Sequence, residues 1–202
     1  MKICVCGWYY YPGFYRELKK VKDLYSVYVV CNRESDEVNG LQHTIRENVG
    51  LDWGAYNYYL KNVWDRRSPV LFMQDDSKVD GMYVFMQIEG IQKHEDKDVV
   101  FLFENGVEAA RNSNAHGRAF YCTPRFLSAI LEDGSFPYDE GNCGFVARGS
   151  YKSEKPPEGC KHHNYGIWQF ISQIQRINRV KKYNPRSVMT FSGLRLGRRG
   201  KL

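Results

Sequence analysis

No apolar run in this chain of 202 residues approaches the ~20 residues that a membrane-spanning helix needs, so no such span is expected. No Cys-x-x-Cys pair occurs either, although there are 6 cysteines: Cys4, Cys6, Cys31, Cys122, Cys143 and Cys160. A zinc ribbon or a thioredoxin-type redox centre is thereby disfavoured. Cys4, Cys6 and Cys31 fall in apolar stretches and read as small buried hydrophobes. The start, Met1 to Gly7, is too short an apolar run for a secretory leader, which points to a reducing, cytoplasmic setting. There is no G-x-G-x-x-G and no G-x-x-x-x-G-K-S/T, which disfavours an ordinary dinucleotide dehydrogenase or P-loop kinase. There is no G-x-S-x-G, no H-E-x-x-H and no Cys–His signature to support a hydrolase. No internal repeat is visible.

Aromatics, in contrast, are abundant: 15 Tyr, 11 Phe and 4 Trp. Flat rings fill cores, and they also line sites for sugars and bases. The formal net charge is +6, which favours an anionic ligand such as a nucleoside diphosphate, a phospholipid surface or a nucleic acid. Much of that excess comes late, from Arg176, Arg179, Lys181, Lys182, Arg186, Arg195, Arg198, Arg199 and Lys201. Without these residues the chain is roughly neutral, so the basic end and any binding site are separate questions. The length suits one domain, taken as residues 1–180, followed by a basic tail over 181–202 that lacks periodicity.

Along the chain, short apolar runs alternate with helical patterns. Residues 2–6 read as a strand broken by Gly7, and Phe14 to Leu24 as a helix with Leu18 and Val21 at helical spacing. Residues 26–31 are a second strand, ending in the polar loop Asn32 to Asp36, and His43 to Arg46 a short third one. A helix over Gly54 to Val63 carries Ala55, Tyr59, Leu60 and Val63 on one stripe, with Asp52 placed to cap it. A fourth strand begins over 70–73, and a helix follows over Val79 to Gln92. The turn His94 to Asp98 reads as charged surface, and Val99 to Phe103 as a fifth strand. Residues 107–118 read as a polar loop. Phe120 and Tyr121 start a strand, and Thr123-Pro124 is a helix start with Thr as N-cap and Pro at the first helical position. Cys143 to Ala147 read as a further strand and Lys152 to Gly159 as a surface loop. A last helix, which Asn164 would cap, carries Ile167, Phe170, Ile171, Ile174 and Ile177 as an apolar stripe. This alternation predicts an α/β sheet with parallel strands.

Four constellations carry chemistry. The fourth strand, Val70 to Gln74, ends in Asp75 and Asp76. Carboxylates at the carboxyl end of a strand sit where open α/β sheets hold their ligands. Neighbouring side chains on a strand point to opposite faces, so the two are unequal: Asp76 as a direct ligand to a divalent cation, Asp75 as a supporting or sugar contact. The loop Asn48, Gly50, Asp52, Gly54, Asn57 alternates polar and flexible residues just before a helix, where glycine lets backbone approach a ligand closely. His162 and His163 precede the last helix and could complete a metal site begun by Asp76. Asp139 and Glu140 are the acid/base candidates outside that region.

The order of these pieces resembles the GT-A glycosyltransferases, in their family-two-like and rhamnan-synthesis-like branches. Val29 to Asp36 resembles the family's second-strand end, with Asn32 where an acidic residue usually contacts the base. Asn48 to Asn57 resembles the Asn-x-Gly loop and the helix after it. Gln74-Asp75-Asp76 resembles the DxD metal motif with Gln for its first Asp, and Gly141 to Arg148 the later strand beside donor and acceptor. The resemblance covers about residues 1–178. It implies a Rossmann-like GT-A sandwich: a mainly parallel central sheet flanked by helices. It further implies a nucleotide-diphosphate sugar donor of UDP or GDP type, held by Gly7, Tyr9, Asn32, Asn48, Gly50, Asp52, Gly54, Asn57 and Asp75. Mn²⁺ or Mg²⁺ would sit on Asp76, His162 and His163, and Asp139 or Glu140 would deprotonate a carbohydrate or other hydroxyl acceptor. The family's late acidic residue has no counterpart in Lys161-His162-His163-Asn164, which leaves inversion or retention open. Two other readings compete: a catalytically inactive member of this fold that binds a nucleotide or sugar, and a basic α/β module that binds nucleic acid. No nucleic-acid partner is expected, since the basic residues crowd the least patterned stretch; such a tail is more often a solvated arm or one that makes peripheral membrane contact.

Overall fold

The computed structural model describes residues 1–75, 98–101, 119–136 and 188–190, together with Gly90, Phe170, Gln173, Ile174, Arg176 and Ile177. Its strands are β1 (Lys2–Gly7), β2 (Ser26–Cys31), β3 (Gln42–Ile45), β4 (Val70–Gln74), β5 (Val99–Phe101), β6 (Ala119–Cys122) and β7 (Val188–Thr190). Its helices are α1 (Pro12–Val21), α2 (Leu51–Asn62) and α3 (Pro124–Glu132), with a short 3₁₀ turn over Asp36–Val38.

The strands form one sheet in the order β3-β2-β1-β4-β6-β5-β7. β3, β2, β1 and β4 run parallel, and β7 runs parallel to β5. β6 runs antiparallel to both β4 and β5. The chain is therefore α/β, as the alternation predicts, and the sheet is mixed.

β1 lies inside the sheet, and every residue from Ile3 to Gly7 is buried. Burial on both faces is why it reads as a continuous apolar run and not as an alternating one. The period of two still sorts its side chains. Ile3 and Val5 join Val27, Val29, Leu71 and Met73 under Phe14, Tyr15, Leu18 and Val21 of α1. Cys4 and Cys6 face the other way, with Val30, Val70, Phe72 and Phe120, under α2 and α3. Among the helices named, α1 covers one face, and α2 and α3 lie over the opposite face.

The second face holds most of the described aromatics. Phe72 and Phe120, cross-strand partners on β4 and β6, stack with ring centres 4.9 Å apart. Trp53 of α2 stacks on Phe120 at 5.5 Å, and Tyr56, Phe136 and Phe170 close round them edge-on or tilted. Offset and edge-on contacts are the favoured geometries for such rings. Phe170, Ile174 and Ile177 lie in helical backbone and are buried in this cluster, which bears out their part of the expected apolar stripe. Cys4, Cys6 and Cys31 are buried free thiols, as expected, and so is Cys122.

Several boundaries move. α1 starts at Pro12, whose fixed φ and missing N–H suit the first helical turn. α3 begins as expected: the Thr123 hydroxyl accepts from the Phe126 amide at 3.3 Å. The same hydroxyl donates to Asp98 at 2.8 Å, and Arg125 clamps that carboxylate from the other side. Asp98 is accordingly buried, not surface charge. Within the stretch expected as a tail, Val188 to Thr190 form the strand beside β5. The segments expected over 79–92, 107–118, 143–147 and 152–159 lie outside the described residues, Gly90 apart. No described helix is long and apolar enough to cross a membrane.

Candidate functional site

In strand order the chain moves from β1 outward through β2 to β3, then returns to place β4 on the other side of β1. At such a reversal the loops after adjacent strands part and leave a crevice at the carboxyl edge. The carboxyl ends here are Gly7 and Trp8, Cys31 and Asn32, Ile45 to Asn48, and Gln74 and Asp75.

Asp75 sits at the reversal and is fully buried. The loop after β1 folds over it. Its Oδ2 accepts from the backbone amides of Trp8 at 2.9 Å, Tyr9 at 2.9 Å and Tyr10 at 2.7 Å, and from the Tyr15 hydroxyl at 3.0 Å. Among the described residues its Oδ1 takes only a shared bond from the Tyr9 amide, at 3.0 Å. Burial pushes the carboxyl up to about 6, and the amide and hydroxyl donors pull it back down. The loop this anchors is strained: Tyr10 has φ of 56°, in the left-handed region that non-glycine residues avoid. Gly7 makes room for the arrangement, since a Cβ there would come within 3.0 Å of both the Tyr15 hydroxyl and a Val29 methyl.

Tyr10 carries the anchoring across to β2. Its hydroxyl accepts from the amides of Asn32 at 3.1 Å and Arg33 at 3.2 Å. It lies 2.8 Å from Asn32 Oδ1 and 3.1 Å from the Arg33 carbonyl. The Arg33 guanidinium lies over the Tyr10 ring, 4.6 Å from its centre. Desolvation pushes the neighbouring Cys31 thiol up to about 12, so it remains protonated at neutral pH.

The loop after β3 is fixed by its own contacts. Gly50 is the N-cap of α2 at φ 76°, a left-handed turn that glycine makes without penalty. Gly54 packs so close that a Cβ would stand 1.9 Å from the Val49 carbonyl oxygen. Arg46 Nη2 donates to the same carbonyl at 3.0 Å. Asp52 is not the cap: it lies in the first turn of α2, where its carboxylate accepts from Gln74 Nε2.

The loops after β1, β2 and β3 together line a small open cleft, with Gly7, Trp8, Asn32, Arg46, Glu47 and Asn48 in its walls. Its cavity volume is about 10 Å³, where sites for whole small molecules usually occupy ~300–1,000 Å³, so the cleft itself holds no more than a water-sized group.

Of the residues expected to hold a donor, the cleft therefore brings together Gly7, Asn32 and Asn48. Tyr9 lends its amide to Asp75, and its ring stacks on Tyr11, centres 5.5 Å apart. Gly50 and Gly54 shape the loop. Asn57 is buried in α2 with its carbonyl oxygen unpartnered, so it is not a surface contact. Asp75, expected as a supporting or sugar contact, is fully buried with its carboxylate facing inward onto the loop. Asp76, Asp139, Glu140, His162 and His163 lie outside the described residues. Among those described, no three His, Cys, Asp or Glu side chains are grouped to hold a metal ion. Trp8, Tyr10 and Tyr15 were not singled out from sequence. Their signal was the aromatic run directly after the first strand.

No protein-family model matches the chain, and no curated protein matches it.

Proposed function

We propose that the chain is a small GT-A-type glycosyltransferase that moves a sugar from a nucleoside-diphosphate sugar to an acceptor hydroxyl. The observation that carries this reading is the cleft at the carboxyl edge of β1, β2 and β3, beside the strand-order reversal. Its walls include Asn32, where the family resemblance puts the base contact, and Asn48 of the Asn-x-Gly loop. Open α/β sheets hold nucleotides at such a point. The Rossmann-like GT-A sandwich belongs to the same proposal.

Within it, the loop held by Asp75 forms one wall of the base pocket, and holding it rigid lowers the entropy lost on binding. Asp75 itself does not fit as a metal ligand, since its carboxylate is fully buried under the loop after β1 and one of its oxygens is filled by four donors. Asp76, the next residue, fits better, with His162 and His163 as further candidates. A bound Mn²⁺ or Mg²⁺ supplies a Lewis acid for the leaving diphosphate. Asp139 or Glu140 takes the proton from the acceptor hydroxyl.

One observation favours a second reading, a nucleotide-binding protein without transfer activity. Gln74 stands where the family's motif has its first Asp, and its amide is tied to Asp52.

Thermal-shift titration with UDP, GDP and CDP, with and without Mn²⁺, tests both. Stabilisation of about 2–4 °C per kcal/mol of linked binding is expected with one diphosphate, larger with Mn²⁺ present. Stabilisation without a metal effect favours the second reading. No response to any diphosphate sinks both.

A further inference from the structure

Tyr10 is an expensive residue for its position. Its φ of 56° lies in the left-handed region, where a side chain crowds its own backbone and glycine does not. A glycine would keep the amide bond from residue 10 to Asp75, at 2.7 Å, without that strain. The tyrosine is therefore explained by its side chain and not by its backbone. Strain of this kind persists where the surroundings over-determine it, and it gathers at sites with a task.

The side chain reaches across to the end of β2. Its hydroxyl accepts from the amides of Asn32 at 3.1 Å and Arg33 at 3.2 Å, which fills both lone pairs. Its own hydrogen has Asn32 Oδ1 at 2.8 Å and the Arg33 carbonyl at 3.1 Å as acceptors. The ring stacks on that of Tyr15, centres 6.1 Å apart, and lies under the Arg33 guanidinium. Tyr15 in turn donates to the carboxylate that holds the loop. The loop after β2 is thus tied to the loop after β1, and through it to the end of β4.

We infer that Tyr10 is a positioning residue: its hydroxyl fixes the spacing of the loops after β1 and β2, and so shapes the rim across which a nucleoside diphosphate lies. This rests on the nucleotide reading proposed above. The cleft between those loops takes no more than a water-sized group. A ligand has to lie over its rim, and the shape of the rim depends on how far apart the two loops stand. Four hydrogen bonds to one buried carboxylate hold the near end of the tie. That makes it a fixed strut and not a latch that opens for the ligand. Binding to a preset rim costs less conformational freedom than binding to one that has to be ordered.

Tyr10→Phe removes one oxygen and leaves the ring and the Asp75 anchor in place. Hydrogen exchange of the unliganded full chain should then quicken about tenfold or more at the amides of Asn32 and Arg33, and stay as in the parent at Trp8 to Tyr10. Calorimetric titration with UDP, GDP and CDP follows, at fixed Mn²⁺ and at a temperature where both proteins are folded. The diphosphate that binds the parent should bind the variant about tenfold more weakly. A merely structural tie would lower the melting temperature and leave that affinity unchanged, which overturns the inference. Tighter binding by the variant overturns it too, because the tie would then be a latch. Unchanged exchange at Asn32 and Arg33 overturns it at the first step, since the hydroxyl would not be holding the loop. A parent that binds none of the three diphosphates removes the nucleotide reading, and the rim as a ligand surface with it, even where exchange shows that the tie between the loops stands.

Discussion

Four donors converge on one oxygen of Asp75, and the other oxygen is almost unused. That asymmetry decides what substitutions do. Asparagine can put its single carbonyl oxygen where Oδ2 sits and keep the loop amides satisfied. Its NH₂ then meets only the shared Tyr9 bond. Leucine offers no acceptor, so three amides and a hydroxyl stay buried and unpaired, at a cost of about 3 kcal/mol or more. The ionisation separates the two further. The folded-state value of about 6 lies above the ordinary 3.8, so the folded chain holds this proton more tightly than the unfolded one. Stability from this group is therefore full below pH 3.8, falls as pH rises toward 6, and is level beyond. The fall amounts to about 3 kcal/mol. Asp75→Asn has no such dependence. In denaturant titrations of metal-free protein it should be at least as stable as the parent at pH 8 and lose that advantage by pH 4. An asparagine variant as unstable as Asp75→Leu at pH 8 would show that the negative charge itself holds the loop.

At the scale of elements, α2 and the loop before it form one unit. Gly54 lies against the Val49 carbonyl, Arg46 reaches that carbonyl, and Gln74 ties the first turn to β4 through Asp52. A Cβ at 54 must push backbone aside, and α2 is held against the sheet by Trp53, Tyr56 and Tyr59, so the loop has to give. Gly54→Ala should cost about 2–4 kcal/mol in chemical unfolding, although alanine is the better helix former by ~1 kcal/mol. A stabilised variant would mean that the contact relaxes freely. This unit shows what sequence could and could not convey. A helix preceded by a polar glycine loop was legible, because periodicity and glycine content are local. The purpose of the glycines was not, because Gly54 meets a carbonyl whose position depends on how the loop folds. Asp75 failed for a stronger form of the same reason. Its partners are backbone amides 65 to 67 residues earlier, and an amide has no sequence signature. Thr123-Pro124 succeeded because capping needs only neighbours.

For the whole molecule the informative miss is at the far edge of the sheet. The buried strands β1, β2 and β4 announced themselves as apolar runs. β7 did not: it has three residues, it pairs on one side only among the described strands, and it sits within a basic stretch. Short edge strands surrounded by charge are a common way to keep a sheet from pairing with another copy. Its register, Val99 with Val188 to Phe101 with Thr190, puts it directly against β5. The late basic stretch thus includes a strand of the sheet, and removing it does more than lower the net charge. A chain ending at residue 180 loses the partner of β5 and bares its ladder groups. Such a truncation should melt about 5 °C or more below the full chain and sediment as higher oligomers at raised concentration. A chain of residues 1–180 that melts with the full one and stays monomeric would return 181–202 to the status of a separate basic tail. Nucleotide titration of that truncated chain divides the molecule further. The cleft lies at the ends of β1, β2 and β3, on the opposite side of the sheet order from β7. Affinity for a diphosphate should therefore change little at a temperature where the truncated chain is folded, even though its stability falls.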